Sequence, residues 1–174
     1  QTKSAQNLIL GCENMANLHW IEGIEPLNLT PQHCQQVLTL FLNETGEVYS
    51  PASVRHLPIP SWGGNLVLVD LEENEPRTIQ GVLWATPFKD DIVRIAAFVI
   101  ASDHQDKGMG GAAWRLFSKA AFEKGYRQVQ LEVKAENTAA QRFYIRRFLE
   151  IKLPLEGYYQ SGLGYMMRGP ISVD

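Results

Sequence analysis

Cysteine is nearly missing from this chain: of 174 residues only Cys12 and Cys34 carry a thiol, far apart and in no C-x-x-C pair. No disulfide framework is needed, a cysteine-built metal site is not expected, and a reducing setting is expected, which makes the expected location cytoplasmic. The four histidines, His19, His33, His56 and His104, lack ligand spacing, so no metal is expected. Neither sign of charge dominates. Sixteen basic and nineteen acidic residues leave a net charge of −3, and no nucleic-acid footprint stands out. No apolar run approaches the roughly 20 residues that cross a bilayer, and the N-terminus lacks the basic-then-apolar order of a signal peptide, so no membrane partner is expected. Because the chain begins at Gln1 rather than Met, its N-terminus says little about targeting. What is present, 45% hydrophobic and 20% charged residues, suffices for one compact domain with its own core.

Residues 1–20 mix Gln, Asn and Ser around Leu8-Ile9-Leu10 without a sustained period and read as an extension of undefined structure, ahead of a single domain over 21–174. Ile21 to Leu29 reads as a first strand. Thr30 and Pro31 then open a helix whose apolar residues Val37, Leu38, Leu40, Phe41 and Leu42 carry it to about Asn43. Prolines and glycines break the stretch Glu44 to Gly64, with one helical turn expected around Ala52 to His56; a loop this long is a candidate wall of a binding site. Leu66 to Leu71, Ile79 to Trp84 and Ile92 to Ile100 follow as an antiparallel meander. A helix from Met109 with the stripe Ala112, Ala113, Leu116, Phe117, Ala120 and Ala121 ends at Gly125. Tyr126 to Val133 alternates, placing Gln128, Gln130 and Glu132 opposite Val129, Leu131 and Val133, and the right-handed crossover makes this fifth strand parallel to the fourth. Asn137 caps another helix through about Arg147, and strands near Phe148 to Leu153 and Gly162 to Arg168 complete the sheet.

Between the fourth strand and its following helix lies Gln105-Asp106-Lys107-Gly108-Met109-Gly110-Gly111. A glycine turn that leaves a strand and opens a helix presents unpaired backbone N–H groups at the positive end of a helix dipole, which suits an anion such as a diphosphate. Taken alone, the same glycines also fit a tight connection that needs only positive φ, and Lys107 fits either a phosphate contact or a solvated loop.

The order of elements, with Gln105-x-x-Gly108-x-Gly110 followed by Asn137 and Tyr144 in Asn-Thr-Ala-Ala-Gln-Arg-Phe-Tyr, resembles the GNAT N-acetyltransferases over roughly Ile21 to Arg168. The resemblance implies an α/β (α+β) fold: a mixed, mostly antiparallel central sheet with strands four and five parallel and splayed, flanked by helices. It implies acetyl-CoA as co-substrate, with the diphosphate on Gln105, Asp106, Lys107, Gly108, Met109, Gly110 and Gly111. The pantetheine arm would run along Phe98, Val99 and Ile100, and Asn137 and Tyr144 would complete the cofactor site. A backbone N–H near Ile100 would act as oxyanion donor and Tyr144 as proton donor to the leaving thiolate. Leu131-Glu132-Val133 is similar to the ribosomal-protein and N-terminal acetyltransferase branch, in which this glutamate helps deprotonate the amine; an ordinary solvent-facing strand carboxylate stands as the other reading.

Departures from the pattern lie at Arg147 before Phe148, where a glycine is usual near the helix end, and at Ser102, where many members carry proline. Gly157-Tyr158-Tyr159-Gln160 resembles the tyrosine hairpin beside the acceptor groove. The implied activity is direct acetyl transfer to an amine acceptor, whether a peptide N-terminus, a lysine or a small amine, and a homodimer is compatible with it. A CoA-binding regulatory module without turnover is the alternative, and a dinucleotide site ranks below both for want of the full G-x-G-x-x-G spacing.

Overall fold

The computed structural model describes residues 17–159 and 162–173, so most of the expected extension, and Gln160 of the tyrosine segment, lie outside the described residues. Seven strands form one sheet: β1 (Leu18–Glu22), β2 (Leu66–Asp70), β3 (Gly81–Lys89), β4 (Ile92–Ile100), β5 (Gln128–Lys134), β6 (Glu150–Tyr159) and β7 (Gly162–Pro170), in spatial order β1-β2-β3-β4-β5-β7-β6. The β4–β5 pairing is parallel; the other pairings are antiparallel. Helices α1 (Pro31–Thr45) and α2 (Pro51–Arg55) cover one face, α3 (Met109–Glu123) and α4 (Thr138–Ile145) the other.

The alternation in β5 decides which core each side chain joins. Val129, Leu131 and Val133 pack with Ala113, Trp114 and Phe117 of α3 and Tyr144 of α4. On the opposite face Val37, Leu40 and Phe41 of α1 pack with Val54 of α2 and with Val67, Val69, Val82 and Trp84 of the sheet. Trp84 and Trp114 are thus core residues, with 0% and 6% of their surface exposed. Thr30 caps α1, its hydroxyl accepting from His33 N at 3.1 Å; the helix runs to Thr45, two residues beyond the expected stop at Asn43, and Gly46 ends it at φ +72°. The first strand also lies earlier than expected: β1 begins at Leu18, and a 3-10 turn at Pro26–Asn28 occupies the end of the segment read as strand. Proline at 87 does not stop β3, which runs on to Lys89 along its exposed end.

The crossover after α4 closes without glycine, in a different way from that expected. The helix stops at Ile145 rather than Arg147, and Phe148 itself takes the left-handed conformation, φ +69°, while its side chain stays exposed. Leu149 follows it into the core, 2% exposed. A bulky residue in that region costs on the order of 1–2 kcal/mol. Phe148→Gly should therefore stabilise the fold by about 0.5–1 kcal/mol, after glycine's larger unfolded-state entropy is subtracted. A raised denaturation midpoint would establish this, and a lowered one would show that the exposed ring contributes packing.

Candidate functional site

The site begins as a failure of strand pairing. Strands β4 and β5 pair only over Ile92–Gln128, Val93–Val129 and Arg94–Gln130, although β4 continues to Ile100 and β5 to Lys134. The cause lies on the other edge of β4. Trp84 pairs with Ala97 and Ala85 with Ile95, so Ala96 is an unmatched bulge residue that bends β4 just where it leaves β5. A cleft of about 440 Å³ opens there, lined by Phe98, Val99, Glu132, Asn137 and Tyr144 among others. Its size suits a small-molecule ligand.

Sheet alternation also sets which backbone groups face the opening. Ala101 N donates to Gln80 O at 2.9 Å, on the β3 side, so Ile100 and Phe98 turn their amides and carbonyls toward the gap and Val99 turns its own toward β3. Of the expected cofactor residues on β4, the backbone of Phe98 and the amide of Ile100 therefore face the gap, with Val99 between them at the cleft wall, while the Ile100 carbonyl accepts from Gln105.

The glycine turn stands at the end of β4. Asp106 and Gly108 take φ +58° and +81°, and Gly108 is the N-cap of α3. The first ladder bond of the helix runs from Ala112 N to Gly108 O at 3.1 Å, so the N–H groups of Met109, Gly110 and Gly111 lie beyond its i→i−4 pattern, at the positive end of the helix dipole. Gly110 is tight as well: a Cβ there would lie 3.3 Å from the Phe143 ring. Lys107 Nζ donates to Asp103 O at 2.7 Å, which fixes its charge on the loop.

Three neighbours that the sequence reading did not single out hold this arrangement. Trp20 of β1 donates its indole N–H to Met109 O at 2.9 Å, anchoring the first turn of α3. Glu44, in the last turn of α1, reaches the loop: Oε1 accepts from Ser102 N at 3.1 Å and Oγ at 2.6 Å, and Oε2 from Gln105 Nε2 at 2.8 Å. Gln105 Nε2 also donates to Ile100 O at 2.7 Å, so its side chain braces the loop, and its own backbone N–H donates to Ser102 O at 3.3 Å. Proline at position 102 would lack the N–H that Glu44 uses. The third is Arg94, whose Nε donates to both oxygens of Glu132 at 3.1 Å while Nη2 lies 2.9 Å from Oε2. Arg94 is the single charge in the apolar run Ile92 to Ile100, and a charge in such a run demands a partner, a signal that could have found it.

Glu132 lies opposite Val129, Leu131 and Val133, as expected, and its side chain is 13% exposed. With three guanidinium contacts it is held rather than free. Arg94→Ala should strand this carboxylate and cost roughly 1–3 kcal/mol, in the range for leaving one partner of a half-buried charged pair unmatched. Arg94→Lys should recover part of the loss, and equal stability of Arg94→Ala and the parent in urea would contradict the pairing.

Asn137 caps α4, its Oδ1 accepting from Ala140 N at 3.1 Å. That cap fixes the helix carrying Tyr144, whose ring packs against Trp114 and Phe143 with centroids 5.7 and 5.4 Å away. Burial pushes the Tyr144 phenol well above the ordinary tyrosine range, and the Arg147 charge pulls part of the way back. The phenol thus stays protonated at the cleft wall.

The chain belongs to the acetyltransferase (GNAT) family, whose model matches residues 34–149. No protein of curated function is significantly similar to it in sequence. Among solved structures it is similar to Ard1 from Thermoplasma volcanium, with a TM-score of 0.73, 21% identity, and 90% of this chain and 99% of that one covered. It is similar also to the ribosomal-protein-S18-alanine N-acetyltransferase from Escherichia coli, with a TM-score of 0.68, 17% identity and 90% and 96% covered. The NatC complex bound to Gag peptide and CoA gives a TM-score of 0.73 at 15% identity, with 90% and 99% covered. These likenesses show the fold: the mixed sheet, mostly antiparallel with β4 and β5 parallel, is that of the family. Among the described residues no helix is long and apolar enough to cross a membrane.

Proposed function

We propose that the chain transfers an acetyl group from acetyl-CoA to a primary amine by direct attack within a ternary complex. The observation that carries this reading is the wedge between β4 and β5, with strand-edge amides along one wall, Tyr144 on another and the glycine cradle at its end. Acetyl-CoA supplies an activated thioester. Met109, Gly110 and Gly111 offer N–H groups to its diphosphate, and Phe98 and Ile100 offer backbone groups to the extended arm as a neighbouring strand would. The N–H near Ile100 stabilises charge on the carbonyl oxygen during attack. Tyr144 gives its proton to the departing sulfur, and burial keeps that proton in place until it is needed.

The acceptor enters from the side of α1 and the loop after it. Glu44, Glu47, Glu132 and Glu136 line the cleft there against Lys134, whose Nζ donates to Thr45 O at 2.6 Å. An acidic lining favours a cationic amine. Since Arg94 occupies Glu132, the amine's proton reaches that carboxylate through water rather than by direct contact. A peptide N-terminus, a lysine and a small amine all carry the required charge.

The hold of Arg94 on Glu132 also favours a second reading, a CoA-binding module without turnover, in which the carboxylate is purely structural. Cofactor identity is tested by thermal shift. Acetyl-CoA should raise the midpoint by several degrees at saturating concentration and NAD should leave it in place. A shift with NAD alone would overturn both readings, and acceptor turnover separates one from the other.

A further inference from the structure

A second basic feature lies beside the cradle. At the point where a side chain would leave Gly111, two guanidinium groups converge: Arg147 Nη2 at 3.2 Å and Arg115 Nη1 at 3.6 Å. Arg115 follows Gly111 by one helical turn, and a side chain there points back along the helix toward it. Arg147 comes from the crossover after α4 and is immobilised. Its guanidinium stacks 3.5 Å from the centre of the Phe143 ring, and Nη1 donates to Phe143 O at 3.0 Å. Among the described residues no carboxylate lies within ion-pair distance of Arg115, Arg146 or Arg147. The cluster is under mutual repulsion: burial first, then Arg146 and Arg115, lower the pKa of Arg147. Convergent, ordered and uncompensated guanidinium groups are the complement of a compact dianion.

Resting on the acetyl-CoA reading above, we infer that Arg147 and Arg115 form a subsite for the ribose 3′-phosphate of the co-substrate, and that the chain thereby distinguishes CoA from 3′-dephospho-CoA. The diphosphate already has its donors in the backbone of Met109 to Gly111. A phosphate monoester carries close to two charges at neutral pH and three acceptor oxygens, which two planar forks can share. Gly111 keeps the space between the two arginines open, because any side chain there would fill it. The arginine that breaks the expected helix ending thus has a ligand-facing reason to be present.

Calorimetric titration of the purified chain with CoA and with 3′-dephospho-CoA, at one fixed salt concentration, tests the assignment. The parent should bind CoA tighter by roughly tenfold or more, the scale of charge-assisted bonds to a phosphate. Arg147→Gln and Arg115→Gln should each pull that ratio toward one while leaving the affinity for 3′-dephospho-CoA near the parent value, and Arg147→Lys should lie between. Equal affinity of the parent for the two ligands would overturn the subsite without needing any variant. So would Gln variants that weaken both ligands alike, which would assign the arginines to the diphosphate. Failure of CoA to bind at all would remove the acetyl-CoA reading and this inference with it.

Discussion

Replacing Tyr144 with phenylalanine is expected to lower kcat by about 10²- to 10³-fold, the usual worth of a positioned general acid, while the KM for acetyl-CoA changes little. The ring should stay in place, because Trp114 and Phe143 pack against it and the change removes one oxygen at the cleft. The same substitution has a pH signature. Burial raises the phenol's pKa in the folded chain above the unfolded value of 10.0, so the folded state holds the proton more tightly. The stability tied to it is fully present below pH 10.0 and is lost as pH rises toward the folded value. The parent should therefore lose stability between pH 9 and pH 11 more steeply than Tyr144→Phe does, as read from urea midpoints. Comparable kcat in the two proteins would end the proton-donor assignment, and parallel midpoints would show that the phenol is not desolvated.

Gly169→Ala should be the most damaging single methyl in the fold, at about 3 kcal/mol or more, since overpacking against backbone cannot be relieved by a rotamer change. A Cβ at 169 would overlap the carbonyl oxygen of Phe148 and lie 2.8 Å from Leu149 Cα. Here the C-terminal end of β7, opposite Val129 of β5, passes directly beneath the left-handed turn that follows α4. Gly46→Ala is the natural comparison. It shares the positive φ, +72°, but has nothing within 4 Å, so only the conformational penalty of about 1 kcal/mol applies. If the two variants unfolded at the same denaturant concentration, the close approach of β7 to the turn would be wrong.

Local signals carried the architecture well. Strand β4 runs from Ile92 to Ile100 as its apolar run implied, Gly125 ends the turn after α3 at φ +103°, and Asn137 caps α4 with its own side chain. Period and caps are properties of neighbours in sequence, and such properties survive folding. The cleft was legible only as a resemblance. The bulge at Ala96 has no local signature in Ile-Ala-Ala-Phe, for alanine sits as easily in a regular strand. The Arg94–Glu132 pair joins residues 38 apart through strand register, and the Glu44–Gln105 bond spans 61 positions. Both depend on which strands and helices become neighbours. Phe148 is a different case: the need for a left-handed residue was readable, but tertiary contacts placed it one position after Arg147 and accepted the strain.

Acetyl transfer to an amine can be read in a single-turnover experiment with acetyl-labelled acetyl-CoA and separate peptide N-terminus, lysine-peptide and small-amine acceptors. At least one acceptor should gain the label on nitrogen, free CoA thiol should appear in equal amount and only when that acceptor is present, and the protein should retain no label. Tight binding of acetyl-CoA with no thiol released across the whole panel, or label that settles first on the protein, would contradict it.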